Sequence, residues 1–400
     1  MQNNKVTLSF SIAIVLLWAL PSMSTDIYLP SMPTMAEYFH VKLSTIQYTI
    51  FFYTVGFSVG ALFFGPISDR IGRRPVIIGS MILAAITSLA AMLSTSLNIL
   101  FIARLLQGVA LVGVASTIRA VTKDVCPDKE SMARFGAVLG IAIPIAAAIA
   151  PVIGGYIEKY FNWRISFAFI LAYIVIFLVY TFKSLHETNH NRLERPLKYM
   201  LMDYKEVIFN GTFFRYNSLT AFALCAMYSY LTISPYLLQV KVGLSPEEFG
   251  YTNLLISVML ITASLINSKV IFRYGVDHML RLGAILLGCS GVLFLISGLL
   301  GIHTLVTILV PMLIMVLGCG FIYPNASAGG LSLFSKSAGT AGAVYACIQM
   351  LGGSAGSGFI SFMSHYIDPM TSLGGLIILQ SLVGVIFTKQ LISRNQSFID

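Results

Sequence analysis

Along this chain the apolar positions neither alternate with a period of two nor form a narrow helical stripe. They come in long runs broken by short polar segments. About 20 apolar residues carry a helix across a bilayer. Twelve runs meet that length, at about 8–29, 46–66, 75–95, 98–118, 135–156, 165–182, 213–236, 249–268, 279–299, 303–328, 340–362 and 371–390. The first resembles a secretory signal, but its apolar stretch is too long, no small-residue cleavage site follows, and eleven more runs come after it. The pattern predicts an all-α membrane protein with twelve transmembrane helices.

Composition agrees. Of 400 residues, 57% are hydrophobic and 10% charged, against roughly 25% charged in soluble domains; the mean hydropathy is +0.84. So few charges cannot cover a water-soluble surface, and such hydrophobicity excludes disorder. The net charge of +9 does not point to nucleic acid, because the basic residues sit in short loops rather than on one wetted face. The five cysteines, Cys126, Cys225, Cys289, Cys319 and Cys347, lie in apolar runs or, for Cys126, in a loop, so they build no disulfide framework.

The basic residues set an orientation. With the N-terminus inside, 20 Lys and Arg fall on the inner side, including Lys5, Lys336, and Arg119 in the loop after the fourth span; Lys42, Lys159, Arg164 and Lys241 fall outside. Cytoplasmic loops carry the excess of such residues, so both termini are expected in the cytoplasm. The longest polar stretch, 183–210, divides the chain into an N-terminal six-helix bundle (1–182), a cytoplasmic linker and a C-terminal six-helix bundle (211–400). The linker contains His186, Glu187, Asn189, Arg192, Glu194, Arg195, Pro196 and Lys198. His186 and His190 have an i,i+4 spacing, but without a Glu or Cys partner in a zinc-like pattern they read as solvated, and no metal is expected. At an offset of about 203 residues, Arg70-Ile71-Gly72 falls against Arg273-Tyr274-Gly275, Gly136 against Gly339 and Gly155 against Gly358. Matches at one offset in equivalent loops indicate two pseudo-symmetric repeats, an architecture that places a transport site at their interface.

Fifteen of the sixteen acidic residues fall in loops or at span ends; the exception is Asp26. An ionisable residue within a span is a functional candidate by default, and low dielectric disfavours its charged form, which suits a group that takes up and releases protons. The plainer alternative is a carboxylate snorkelling to the interface, with Pro30 close behind. Arg104 is the matching cation within a span. At 1.5 Å per residue, Asp26 lies ~6 Å and Arg104 ~9 Å from the outer ends of their helices, so the two share a layer. Arg104 needs an anionic or carbonyl partner at that depth, and a purely structural role bonded to carbonyls stays open.

Two further strings stand out. In 65–75, Gly65-Pro66-Ile67-Ser68-Asp69-Arg70-Ile71-Gly72-Arg73-Arg74-Pro75, Asp69 closes a helix where it can pair with basic residues, and Gly72 permits a tight turn. The fifth span carries Gly136, Gly140, Pro144, Pro151, Gly154 and Gly155, and the eleventh Gly352, Gly353, Gly356 and Gly358. Small residues let helices approach closely and prolines kink them.

These strings resemble the major facilitator superfamily, specifically its twelve-helix drug:proton antiporters of the Bcr/CflA type. The first loop, with Gly65, Asp69, Arg70, Gly72 and Arg73, is similar to the superfamily's first cytoplasmic signature. The run Arg104-Leu105-Leu106-Gln107-Gly108 is similar to the fourth-helix signature, whose arginine the resemblance links to proton coupling. Pro151-Val152-Ile153-Gly154-Gly155 resembles the antiporter signature of the fifth helix, although Ala150 stands where Gly is usual. Residues 24–33 and Tyr323-Pro324-Asn325-Ala326 resemble the Bcr/CflA ends of helices one and ten. The second-half loop departs from the signature, with Val276 and Asp277 after Gly275.

The resemblance implies a major facilitator fold, alternating access, and proton-coupled export of small lipophilic compounds. Asp26 and Arg104 would couple protons. Met23, Tyr53, Phe57 and Gln107 from the first half, and Tyr228, Tyr230, Asn253, Asn325 and Gln349 from the second, are candidates to line the substrate site. Gly65, Asp69, Arg70, Gly72 and Arg73 would form the conformational switch, and Gly140, Pro144, Pro151, Gly154 and Gly155 the packing surface. The seventh span carries no second acid; Ser229 is expected roughly opposite Asp26. Uptake by proton symport is the alternative. A membrane enzyme is not expected, since no HExxH, paired intramembrane aspartates or nucleotide-binding loop occurs. No cofactor is expected; the proton gradient would supply the energy to a monomer.

Overall fold

A computed structural model describes residues 8–126, 128–189, 204–334 and 337–396. Lys5, Lys336 and the linker residues His190, Arg192, Glu194, Arg195, Pro196 and Lys198 lie outside the described residues. Twelve long helices form: α1 (Leu8–Asp26), α2 (Tyr48–Ile71), α3 (Arg73–Met92), α4 (Leu97–Val125), α5 (Lys129–Tyr160), α6 (Trp163–Ser184), α7 (Gly211–Pro235), α8 (Pro246–Tyr274), α9 (Val276–Leu299), α10 (Leu305–Ser332), α11 (Ala338–Met363) and α12 (Pro369–Gln396). All twelve spans are apolar and long enough to cross a membrane. No strand occurs among the described residues.

Several helices start where the sequence supplies a cap. Asn162, Asn210 and Asp128 accept from first-turn backbone N–H groups of α6, α7 and α5, while Ser245 and Thr304 open α8 and α10 with capping boxes. The α2–α3 and α8–α9 turns pass through Gly72 (φ 110°) and Gly275 (φ 78°), 203 positions apart, in the left-handed region that favours glycine.

Packing repeats across the halves. In the first, α1 packs on α4 and α5, α2 on α4, and α3 on α4 and α6; in the second, α7 packs on α10 and α11, α8 on α10, and α9 on α10 and α12. The halves meet along two equivalent seams, α2 with α11 and α5 with α8. Helices α1 and α4 make no extensive contact with α7 or α10 among the described residues, so a space flanked by the two seams separates them. Side chains such as Ile86, Ile176, Val258 and Leu382 are exposed on the outer faces, where lipid rather than water is the matching solvent.

The two seams differ along their length. On the α2–α11 seam, Ser58 Oγ donates to the Cys347 carbonyl at 2.9 Å, and Gly358 sits against the Phe51 ring. The α5–α8 seam is tight at the charge-poor ends. There Gly155 lies on the Pro246 carbonyl and Gly250 on that of Pro151. Tyr156 and Tyr251 share a 2.5 Å hydroxyl hydrogen bond, and Lys159 pairs with Glu247 at 2.5 Å. Toward the basic ends, nothing lies close to Gly136 or Gly140. The α5–α8 seam therefore closes at the charge-poor side and parts toward the basic one.

Candidate transport site

Helix α1 carries the centre of the site. Pro21 removes one backbone donor from α1, and its carbonyl accepts from Thr25 Oγ1 at 2.9 Å and from Tyr53 Oη, on α2, at 3.0 Å. One turn on, Asp26 is buried, its carboxylate accepting from Ser22 Oγ at 3.3 Å. It is the buried acid among the described residues. Tyr228, half-buried on α7 of the other half, lies within electrostatic reach of Asp26, Tyr53 and Arg104.

Arg104 is fully buried and reaches the chain on both sides of Asp26. Its Nη1 donates to the Ser24 carbonyl at 3.2 Å and to Gln107 Oε1 at 2.5 Å, and its Nη2 lies 3.4 Å from Tyr28 Oη. The guanidinium stacks over Tyr53 at 4.5 Å and Tyr28 at 4.6 Å. No ion pair joins it to Asp26 among the described residues; carbonyl, amide and π faces hold this cation instead.

The lining candidates divide. Met23 and Tyr53 are buried in the core of the first half with Phe57 packed against it; Phe57 and Tyr228 are partly exposed, and Gln349 is half-buried on α11. Two expectations need correction. Tyr230 is fully buried against Phe294 within the second bundle, because the helical period turns it away from the face that Tyr228 presents. Gln107 does not line the space: it is fully buried, accepting from Arg104 and donating to Ser88 Oγ at 2.8 Å. Asn253 and Asn325 are also buried; Asn253 donates to the Phe249 carbonyl at 3.1 Å, and Asn325 to Asn267 Oδ1 at 2.7 Å. Ser229 is buried beside Gly356 of its own bundle, while Tyr228, one residue before it, lies within electrostatic reach of Asp26.

At the basic ends the loop expected to carry a charge cluster does so. Arg73, buried at the start of α3, pairs with Asp69 at 2.6 Å and with Asp124 at 3.1 Å, and donates to Ser68 Oγ at 2.7 Å. Arg70 is engaged as well, and Gly65 stands in open space. Glu187 was read as a linker residue, yet its carboxylate lies across the start of α3. It accepts from the backbone N–H groups of Arg73 (2.8 Å), Arg74 (3.2 Å), Thr188 (3.1 Å) and Asn189 (2.9 Å). Burial opposes its ionisation, but these donors outweigh burial and hold the carboxyl below the usual carboxylate range. Asn189 Nδ2 donates to the Asp69 carbonyl at 2.9 Å and Thr188 Oγ1 to Asp124 at 3.1 Å, completing a strap over the ends of α2, α3 and α4. The sequence signal was the position of Glu187, three residues after α6 and level with a helix start that has no side-chain cap of its own.

A second departure concerns Arg119. Helix α4 runs to Val125, so Arg119 lies inside it and not in the following loop. The packing glycines also divide, since Gly154 meets the backbone of Ile27, just past α1, and Gly155 that of α8, while Gly140 meets nothing. Pro144 and Pro151 lie within α5.

The family model for the Major Facilitator Superfamily matches residues 14–357. The chain belongs to that superfamily. Multidrug resistance protein D of Escherichia coli (strain K12) is 28% identical over 93% of this chain and 92% of its own length. The bicyclomycin resistance protein homolog of Haemophilus influenzae is 26% identical over 99% of both chains, and a chloramphenicol resistance protein of Pseudomonas aeruginosa 26% over 86% of this chain and 82% of its own. These relatives are consistent with the Bcr/CflA branch. Among solved structures, a D-xylose-proton symporter superposes with a TM-score of 0.72 at 15% identity over 95% of this chain and 97% of that one. The human organic anion transporter MFSD10 gives 0.68 at 17% identity over 94% and 98%; these likenesses bear on the fold. As a superfamily member the protein is a multi-pass membrane transporter of small molecules and not an enzyme.

Proposed function

We propose that this transporter exports small lipophilic compounds, drugs or metabolites, in exchange for protons. It would do so in a bacterial inner membrane with both termini in the cytoplasm. The observation that carries the reading is the buried Asp26, set between Arg104 and the opposite half's Tyr228. The relatives' names, which speak of resistance to several drugs, chloramphenicol and bicyclomycin, support the substrate class.

In the arrangement seen here the space opens at the basic, cytoplasmic ends. A lipophilic compound enters from that side and settles among Met23, Phe57 and Tyr228, while Asp26 gives its proton to the cytoplasm. The halves then rock, parting the α5–α8 seam and closing the basic ends. Asp26 takes a proton from outside, which lowers the cost of the empty carrier's return, since a neutral carboxyl is cheaper to bury. Each proton entering supplies ~2.3 kcal/mol per 100 mV, enough to sustain a roughly 50-fold substrate gradient. The superfamily signature at Asp69–Arg73 would hold the basic ends and release them. Neither a cofactor nor a partner subunit enters this cycle.

The test is Asp26→Asn in inverted vesicles with an imposed pH gradient. Substrate addition should release lumenal protons with the unaltered protein and fail to do so with the variant, at equal protein in the membrane. Unchanged proton-driven transport by the variant would remove Asp26 from the mechanism, and proton uptake with substrate in the same direction would indicate symport.

A further inference from the structure

Arg119 takes no part in the cycle above, yet its setting is unusual for a cation inside a span. It is exposed although it lies within α4. Its guanidinium stacks on Trp18 of α1 at 5.2 Å, and it lies within electrostatic reach of Tyr345 on α11 of the other half. Among the described residues no carboxylate pairs with it. It therefore stands in the space between the halves, on the side that is open, about 22 Å along α4 from Arg104.

Its neighbours are arranged to receive a ligand. Trp18 is fixed by a 3.1 Å hydrogen bond from Nε1 to the Leu139 carbonyl and holds the guanidinium over its ring. Behind it in the second half follow the phenols of Tyr345, which is buried, Tyr323 and the half-buried Tyr228, each within electrostatic reach of the next and the last of Asp26. Guanidinium and phenol hydroxyls supply hydrogen-bond donors and π faces, and the guanidinium supplies no acceptor at all.

We propose that Arg119, stacked on Trp18, forms the docking position at the open mouth and sets the charge preference of the transporter, admitting uncharged, acceptor-rich aromatic compounds and rejecting permanent cations. A cation docked there meets an unpaired positive charge in a partly desolvated site, where repulsion over ~10 Å is worth about tenfold in affinity. An anion is welcome at Arg119 but unsuitable deeper in, because it favours the protonated form of Asp26 and would carry the proton with it. That clause rests on the antiport reading; the rejection of cations does not.

Three phenyl-bearing probes separate the charges: triphenylphosphine oxide (uncharged, a strong acceptor, one ring fewer) and two ions of one shape, tetraphenylphosphonium and tetraphenylborate. Binding is read by quenching of Trp18 in the purified full chain carrying W163F, which leaves one of the two tryptophans. The phosphine oxide should bind about tenfold more tightly than the phosphonium. R119Q should bring that ratio close to one by tightening phosphonium binding, and R119K should preserve it, both variants eluting as monodisperse protein. An unchanged ratio in R119Q, or tighter phosphonium binding in the parent, overturns the proposal. Separately, tetraphenylborate should bind more tightly as pH falls, and D26N should abolish that trend. Failure of this last arm alone removes the antiport clause and leaves the assignment of Arg119 standing.

Discussion

Replacing Glu187 by Gln isolates one carboxylate that joins α6 to the α2–α3 turn. Two of its four donors, Arg73 N and Arg74 N, belong to the first turn of α3, where N–H groups have no helical acceptor. Hydrogen bonds to a charged group contribute about 1.5–3 kcal/mol each and neutral ones about 1 kcal/mol. Glu187 is half-buried, so water replaces part of what is lost, and Gln keeps one accepting oxygen while pointing an amide at the remaining donors. The net cost is about 2 kcal/mol, the sum of two weakened charged bonds after that discount. In a thermal-unfolding assay of detergent-purified protein this lowers the midpoint by about 2–5 °C. The pH sign is fixed by linkage. Because the folded carboxyl titrates below its unfolded value, its contribution is complete above about pH 4.3 and declines as pH falls through the folded value. The difference between the unaltered protein and E187Q should therefore be constant from pH 7 to 5 and shrink in more acid solution. A midpoint within about 1 °C of the parent at pH 7, or a difference that grows in acid, would refute the capping argument.

Two other substitutions probe the α5 contacts. Gly154→Ala places a methyl group on the Ile27 carbonyl and should reduce folded protein and transport together. Gly140→Ala, with open space around it, should leave both intact, as measured by fluorescence-detected size exclusion and vesicle uptake; equal effects of the two would show that close approach is not what Gly154 provides. Reversing Lys159 to Glu beside Glu247 should loosen the charge-poor end and raise accessibility of a cysteine probe there, and the exchange Lys159→Glu with Glu247→Lys should restore the parent value. If the exchange variant labels like the single one, the pair does not hold the seam.

The twelve spans, the repeat at 203 residues and the charged turn at 65–75 were legible because each is a local pattern: a long apolar run, a glycine needing positive φ, an acid four residues before an arginine. Asp26 and Arg104 were legible because a charge in an apolar run costs free energy and so stands out. Local pattern failed for Tyr230 and Gln107, since a polar or aromatic residue in a buried helix faces either its own bundle or the space between bundles. One residue of helical rotation, 100°, decides which. It failed for Arg119 because α4 extends past its apolar run, and for Glu187 because the start of α3 that it caps is 114 residues away in sequence.

The sequence by itself determined that this chain lies in a bilayer as twelve helices in two related sets, because hydrophobic length and turn chemistry act within a few residues. The tertiary structure decided the partners of each charge. Arg104 is held by carbonyl, amide and aromatic rings, Arg73 by two carboxylates, and Arg119 by a single indole with no carboxylate described beside it. Desolvation makes each of these cations expensive wherever it is buried. The chain composition states how many there are, but the packing of helices far apart in sequence determines which are satisfied and which stand free to meet a substrate.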